Sequence, residues 1–306
     1  MRDTVVVLLA MGYCLAGTVM ARTWTSTDGR TIEAEFVSAT EEEVTIRRES
    51  DGRTFAIKLD TLSEGDRKEV AERLAAEGRP AAIEAGPYLE LLDEEWASFV
   101  YEDELPVRLY GPKRTKATDL LPLVIYLHGV GQKGEDNERQ LGGDVRKFAD
   151  EENFGERPCI VVVPQCAEDS NWKGESGQQL IKLVKEMLEL APVDASRVYL
   201  TGYSMGGYGT WALLAQEPEL FAAGIPVAGG ANPNQAEALK DIPIWAFHGA
   251  KDPTVKVEQS RGIVEALKAI DGKIKYTEYP DKDHGISWDV FGDGEMHEWL
   301  FLQKRE

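Results

Sequence analysis

Positive charge, cysteine and histidine are all in short supply in this chain. Lysine and arginine number 34 against 54 aspartates and glutamates, for a formal net charge of −20. A surface of that sign repels phosphate backbones and anionic bilayers, so neither nucleic acid nor a membrane is expected as a partner. Only three cysteines occur, Cys14, Cys159 and Cys166. The last two flank one strand-like segment. An extended chain holds their α-carbons too far apart to bridge unless it folds back sharply after Pro164. Two buried free thiols are expected, and a chain of 306 residues does not depend on disulfides for its core. No zinc pattern such as H-E-x-x-H, no Walker loop, no internal repeat and no low-complexity tract is found, so no metal and no cofactor is expected.

What is present is ample apolar material, 42% of the residues, enough for a sizeable core. The N-terminus reads as an export signal, residues 1–21. Arg2 gives a weak positive start, Val5 to Val19 is apolar, and Val19-Met20-Ala21 offers small residues where a signal peptidase reads. The stretch is short for a membrane span, and a polar, strand-like segment follows directly. A secreted or periplasmic location is therefore expected.

Residues 22–76 read as a small β-barrel-like domain. Thr31 to Ser38 alternates, with Ile32, Ala34 and Phe36 on one face. Val44 to Arg48 and Thr54 to Leu59 alternate too, and Asp28-Gly29 and Asp51-Gly52 mark turns. Ser63 is placed to cap a helix over Glu64 to Ala76. Residues 77–94, with Gly78, Pro80, Gly86 and Pro87, read as a linker, with the boundary near residue 85.

From residue 95 to 306 strands and helices alternate. Ala97–Tyr101 and Pro106–Tyr110 form an opening antiparallel pair. Near-continuous apolar strands follow at Leu121–His128, Cys159–Pro164, Val198–Gly202, Ala223–Val227 and Ile242–His248, and Ile274–Tyr279 is the last. Helical patterns lie between them at Gly177–Leu190, Gly206–Gln216, Val257–Ile270 and Glu295–Gln303. The expected class is α/β, a mostly parallel sheet with helices on both faces.

The sharpest motif is Gly202-Tyr203-Ser204-Met205-Gly206, between the strand ending near Gly202 and the helix carrying Trp211 and Leu213. That context is what a nucleophile elbow needs. Ser204 must sit on a sharp turn, and side chains at 202 and 206 would collide. A serine needs a base, and there are four histidines. His128 and His248 end strands, and His297 lies on the last helix as packing or surface. His284 lies in a polar loop, Asp281-Lys282-Asp283-His284-Gly285, just past the last strand. His284 is the candidate base and Asp252, in the turn after the strand ending at His248, the carboxylate that orients it. Asp281 and Asp283 compete for that role but sit too near His284 in sequence. An oxyanion hole requires two convergent donors, assigned to the N–H groups of Met205 and of Val130, in the loop His128-Gly129-Val130-Gly131. The same loop, Gly129 to Gly134, matches G-x-G-x-x-G, but its strand does not head a βαβ unit and an exported enzyme has little use for a soluble nicotinamide. Trp172 and Trp288 stand where they could line an acyl or aromatic pocket. Asp136 and Asn137 read as caps of a following helix.

Residues 22–76 resemble, through the phrase Trp24 to Gly29 and the strand end Leu59 to Leu62, the small Src-homology-type barrel first described in a yeast endocytic adaptor. No binding residue carries over from it, so the ligand of this module is left open. Residues 95–306 resemble the α/β-hydrolase superfamily, near its bacterial predicted-peptidase and phospholipase/carboxylesterase group and the dienelactone-hydrolase and feruloyl-esterase-like branches. The strings that carry the likeness are Leu127-His128-Gly129 to Asn137, Val163 to Cys166, Gly202 to Gly207, His248 to Asp252 and Asp283-His284. The resemblance implies a Ser204, His284, Asp252 triad with Val130 and Met205 as oxyanion donors. It does not fix the substrate; a serine esterase acting on a small-molecule or polymer-linked ester is expected. A peptidase of the prolyl-oligopeptidase-like family, or a binding protein working through the first domain, are the alternatives. Only 48 positions separate Ser204 from Asp252, which leaves no room there for a large helical lid.

Overall fold

Alternating apolar and polar residues build the first sheet. A computed structural model of the chain describes residues 22–39, 43–77, 86–113, 115–116 and 119–305. The segment read as an export signal lies outside the described residues. The chain divides into two compact units, residues 1–81 and 82–306.

In the first unit four antiparallel strands pair in chain order: β1 (Arg22–Thr25), β2 (Thr31–Ala39), β3 (Glu43–Arg48) and β4 (Thr54–Lys58). After β4 the chain returns to the end of β1. Thr27 N–H donates to Thr61 O at 2.8 Å and Ser63 N–H to Thr25 O at 2.8 Å, so the sheet curls towards closure. Helix α1 (Glu64–Glu77) follows. Ser63 Oγ accepts the Asp66 N–H at 3.2 Å, satisfying one of the unpaired donors of the first turn. The inward face places Trp24, Ala34, Val44, Ile46, Leu62 and Val70 in one apolar cluster. Trp24 keeps its indole N–H satisfied on Ala34 O at 3.1 Å.

The second unit is built on an eight-stranded sheet. Its strands are β5 (Ala97–Tyr101), β6 (Leu105–Tyr110), β7 (Leu121–Leu127), β8 (Ile160–Pro164), β9 (Val193–Tyr203), β10 (Ala223–Val227), β11 (Ile244–Gly249) and β12 (Ile274–Tyr279). The spatial order is β12-β11-β10-β9-β7-β8-β6-β5. All neighbours from β12 to β8 are parallel, while β6 runs antiparallel to both β8 and β5. Among the described residues seven helices accompany the sheet: α2 (Glu151–Glu156), α3 (Glu175–Leu190), α4 (Met205–Gln216), α5 (Ala236–Leu239), α6 (Glu258–Ala269), α7 (Ser287–Phe291) and α8 (Gly294–Leu302).

Two apolar layers, one on each face, explain why the central strands are apolar throughout. Leu123, Ile125 and Leu127 of β7 join the layer under α3, α4 and α6, with Leu183, Trp211 and Ile263. Val124 and Tyr126 join the opposite layer with Phe148, Phe291, Met296 and Leu300. Burying such side chains stabilises the fold by about 1.5–3 kcal/mol each.

Two expectations from the sequence do not hold. The 77–94 stretch is not all linker: α1 runs to Glu77, and Tyr88 and Leu92 are buried in the large unit's core. The Tyr88 hydroxyl donates to Glu186 Oε1 at 2.6 Å. Its glycines and prolines masked two apolar anchors. No helix starts directly after Asp136 and Asn137; the next helical turn is Val145–Phe148. Instead the Asn137 amide donates to Phe99 O at 3.0 Å and Val107 O at 3.2 Å, tying this loop to β5 and β6. The connection from Ser204 to Asp252 also holds a short extra helix, α5, in addition to α4, β10 and β11. Cys159 and Cys166 are buried and free.

Candidate active site

The chain steps from β7 to β8 on one side and returns through α3 to β9 on the other. The carboxyl ends of β7 and β9 therefore lie where the strand order reverses, the usual ligand position in open α/β sheets. Ser204 stands at the end of β9, between it and α4. Its backbone has φ 57° and ψ −114°, a strained conformation for a residue with a side chain. The structure holds it there. Ser204 N–H donates to Val227 O at 2.9 Å, and Ser204 O accepts from Tyr208 N–H at 3.0 Å. The turn closes only with glycine behind it, since a β-carbon at Gly206 would lie 1.9 Å from Leu127 O.

His284 reaches this serine from the loop after β12. Its Nε2 lies 2.8 Å from Ser204 Oγ, and its Nδ1 lies 2.6 Å from Asp252 Oδ2. The three predicted residues thus form one unbroken hydrogen-bonded line. Two loops are laced together to make it. Ala250 N–H donates to Tyr279 O at 2.9 Å and Lys251 N–H to Lys282 O at 3.0 Å, so the turn after β11 and the loop after β12 are held in register. Asp252 is oriented by its other oxygen, Oδ1, which accepts the N–H groups of Thr254 and Val255 at 2.8 Å each. Its side chain is fully buried. The Tyr203 hydroxyl donates to His284 O at 2.8 Å and pins the base loop to β9. Burial first, then the nearby carboxylates, pushes that phenol up to about 12, so it stays a neutral donor. The competing carboxylates are engaged elsewhere: Asp281 pairs with Lys251 at 2.7 Å and Asp283 accepts the Gly285 N–H at 2.9 Å.

The loop after β7 lies against the serine. A β-carbon on Gly129 would be 3.6 Å from Ser204 Cβ. A single 3-10 turn, Val130–Gln132, follows, and Met205 opens α4 on the other side. Among the described residues neither the Val130 nor the Met205 N–H has an acceptor. Met205 directly follows Ser204, and Val130 directly follows Gly129.

Two histidines left without a role in the sequence reading organise these loops. His128 is buried, with Nδ1–H donating to Gly129 O at 2.6 Å and Nε2 accepting the Cys166 N–H at 2.9 Å. Burial lowers it to about 4, so it is a neutral clamp between the loops after β7 and β8. His248, at the end of β11, packs beneath Asp252. The signal for both was a polar residue closing an apolar central strand. His297 is buried, its Nε2 lying 2.9 Å from Phe291 O.

The tryptophans part company. Trp172 is 1% exposed, and its indole N–H is spent on His128 O at 3.0 Å. It supports the loops from below and lines no open pocket. It follows β8 at the end where the site was expected, but the chain turns inward after Asn171. Trp288 is 59% exposed, four residues past His284, and backs onto Gly143. Val130 is 63% exposed. No cluster of three or more metal-ligating side chains occurs among the described residues, nor any helix long and apolar enough to cross a membrane.

Strand order, the single antiparallel departure at β6 and the serine turn after β9 define the α/β-hydrolase fold. Within it, residues 167–246 match the model of the prolyl oligopeptidase family. A thermostable esterase of known structure superposes with a TM-score of 0.65 at 35% identity, over 73% of this chain and 64% of that one. The bifunctional acetylxylan esterase/xylanase of Neocallimastix patriciarum is 28% identical over 163 residues, covering 52% of this chain and 23% of that protein. Dipeptidyl aminopeptidase BIII of Pseudoxanthomonas mexicana is 25% identical over 161 residues, covering 40% of this chain and 23% of that protein. The chain therefore spans about a quarter of the length of these two curated relatives.

Proposed function

We propose that the large unit is a serine hydrolase that cleaves carboxylic esters through a covalent acyl-enzyme. The observation that carries this reading is the line from Asp252 through His284 to Ser204, ending on a serine in a strained turn. Ser204 Oγ attacks the ester carbonyl carbon as its proton passes to His284 Nε2, and Asp252 holds Nδ1–H and stabilises the imidazolium. The negative charge on the former carbonyl oxygen is received by the N–H groups of Val130 and Met205. Collapse expels the alcohol, which takes the proton from His284. Water, deprotonated by the same imidazole, then attacks the acyl carbon and restores Ser204.

Ester cleavage is favoured over peptide cleavage by the likeness to the thermostable esterase and the acetylxylan esterase/xylanase. Trp288 and Val130 are both exposed, and we read Trp288 as an apolar contact for the acyl group or for the body of a polymer-linked substrate. A peptidase is the second reading, favoured by the match to the prolyl oligopeptidase family. Turnover of matched ester and amide substrates separates the two. Labelling by a fluorophosphonate probe, lost in Ser204→Ala, tests the shared premise; an unlabelled, folded wild type would refute it. We also read residues 1–21 as an export signal, which predicts a mature chain beginning at Arg22. The first unit we read as a relative of the adaptor barrel.

A further inference from the structure

The catalytic carboxylate has a second imidazole on it. Asp252 Oδ2 lies 2.6 Å from His284 Nδ1 and 3.3 Å from His248 Nε2. His248 has no solvent exposure, so each of its ring nitrogens must find its partner inside the protein. The partners determine which nitrogens carry hydrogen. Nε2 faces Val255 O at 2.8 Å as well as Asp252 Oδ2. Both oxygens are acceptors only, so Nε2 must be a donor. Nδ1 lies 2.7 Å from Ser260 Oγ, and that same hydroxyl lies 2.7 Å from Gly229 O. A hydroxyl has one hydrogen. It is directed to the Gly229 carbonyl, which leaves Oγ as the acceptor for Nδ1–H. Neither neutral tautomer fits. Each would set a bare ring nitrogen against oxygen lone pairs, or leave Gly229 O facing an oxygen with no hydrogen between them.

We infer that His248 donates from both ring nitrogens, as a buried imidazolium paired with Asp252, and is a positioning residue for the triad. The inference rests on the reading of Ser204, His284 and Asp252 as the active centre and deepens it. A lone buried carboxylate is costly, and a buried ion pair is sustained only when its remaining hydrogen-bonding atoms are satisfied. Asp252 meets that condition: Oδ1 takes two backbone N–H groups, Oδ2 takes His284 Nδ1–H, and His248 Nε2 stands at ion-pair distance, 3.3 Å, from Oδ2 while its hydrogen goes to Val255 O. Charges of both signs stand around His248. Glu278 is its partner across β12. That carboxylate is itself bonded by Arg261 of α6 at 2.7 Å and by the Tyr276 hydroxyl at 2.9 Å. Glu258 of α6 pairs with Arg261, and His284 lies on the far side of Asp252. The pair His248–Asp252 is neutral as a unit. The negative charge facing His284 is thereby moderated.

Selective 15N labelling of the four histidines tests this without reference to activity. Both ring nitrogens of His248 are expected to show N–H signals of the protonated type between about pH 6 and 8. A pyridine-type nitrogen on this ring in that range would overturn the inference. The signal is assigned with His248→Gln, or with Ser260→Ala if the first variant does not fold. His248→Gln keeps a donor towards Val255 O and removes the charge. Its acid limb of kcat/KM on a nitrophenyl ester is expected to move to higher pH by roughly one unit, with KM within about twofold. A folded variant with an unmoved limb would leave His248 as packing alone and refute the positioning role. Fluorophosphonate labelling of the wild type reports separately on the triad, so failure of that premise and failure of this inference are told apart.

Discussion

Replacing Asp252 by asparagine removes a charge and a hydrogen-bond acceptor while keeping the shape, and the structure determines which way the new amide must point. The Oδ1 position receives N–H groups from Thr254 and Val255 at 2.8 Å each. Only the amide oxygen can accept them. Turning the NH2 towards them would forfeit two hydrogen bonds, about 1 kcal/mol each, and set donors against donors. The NH2 therefore occupies the Oδ2 position, 2.6 Å from His284 Nδ1 and 3.3 Å from His248 Nε2, whose hydrogen stays on Val255 O. His284 Nδ1 must then accept, and the imidazole hydrogen moves to Nε2, facing Ser204 Oγ at 2.8 Å. The ring keeps its place but cannot take the serine's proton. An inverted tautomer of this kind costs a serine hydrolase about 10⁴-fold in kcat, or about 5 kcal/mol of barrier. Initial rates on a soluble nitrophenyl ester at neutral pH, with a melting curve for each protein, measure it. KM is expected to stay within a few-fold. A folded Asp252→Asn enzyme that keeps more than about a tenth of wild-type kcat would refute the assignment of Asp252 and the tautomer argument with it.

Further outcomes follow from the loops. Burial holds His128 at about 4 in the folded chain, against about 6.5 when unfolded. Its folded value is depressed, so as pH falls from about 6.5 to 4 the unfolded chain binds a proton that the folded chain refuses, and stability drops through that window. Urea unfolding is expected to show the wild type losing about 2 kcal/mol more than His128→Gln between about pH 7 and pH 5; equal losses would count against a neutral clamp. Trp172→Ala opens a cavity under the loops and is expected to lower stability by about 3–5 kcal/mol, read as a fall in Tm. Trp288→Ala should leave Tm nearly unchanged, within about 0.5 kcal/mol, and raise KM for bulky aromatic acyl esters more than for acetyl esters. An unchanged KM series would remove Trp288 as a substrate contact.

Much of the architecture was legible because it is written in local patterns. The apolar runs of β7, β8, β10 and β11 announce strands covered on both faces, and each is buried almost throughout. The glycines around Ser204 mark a turn that admits no side chains. Features that depend on distant partners were hidden. Trp172 follows a polar run, and only packing beneath His128 makes it core. Asn137 read as a helix cap, because nothing near it in sequence names Phe99 and Val107 as its acceptors. Tyr88 and Leu92 sat inside a stretch whose glycines and prolines spelled linker.

Residue order alone therefore carried the element types, the serine turn and the list of candidate acids and bases, since periodicity and turn chemistry act over a few neighbouring residues. Tertiary structure decided which of those candidates meet. Ser204 and His284 lie 80 positions apart, and their approach to 2.8 Å depends on strand order and on two loops laced together by backbone hydrogen bonds. It also decided that His248 stands behind Asp252. A buried polar side chain acquires its role from the groups left to satisfy it, and those are supplied by chain far away in sequence.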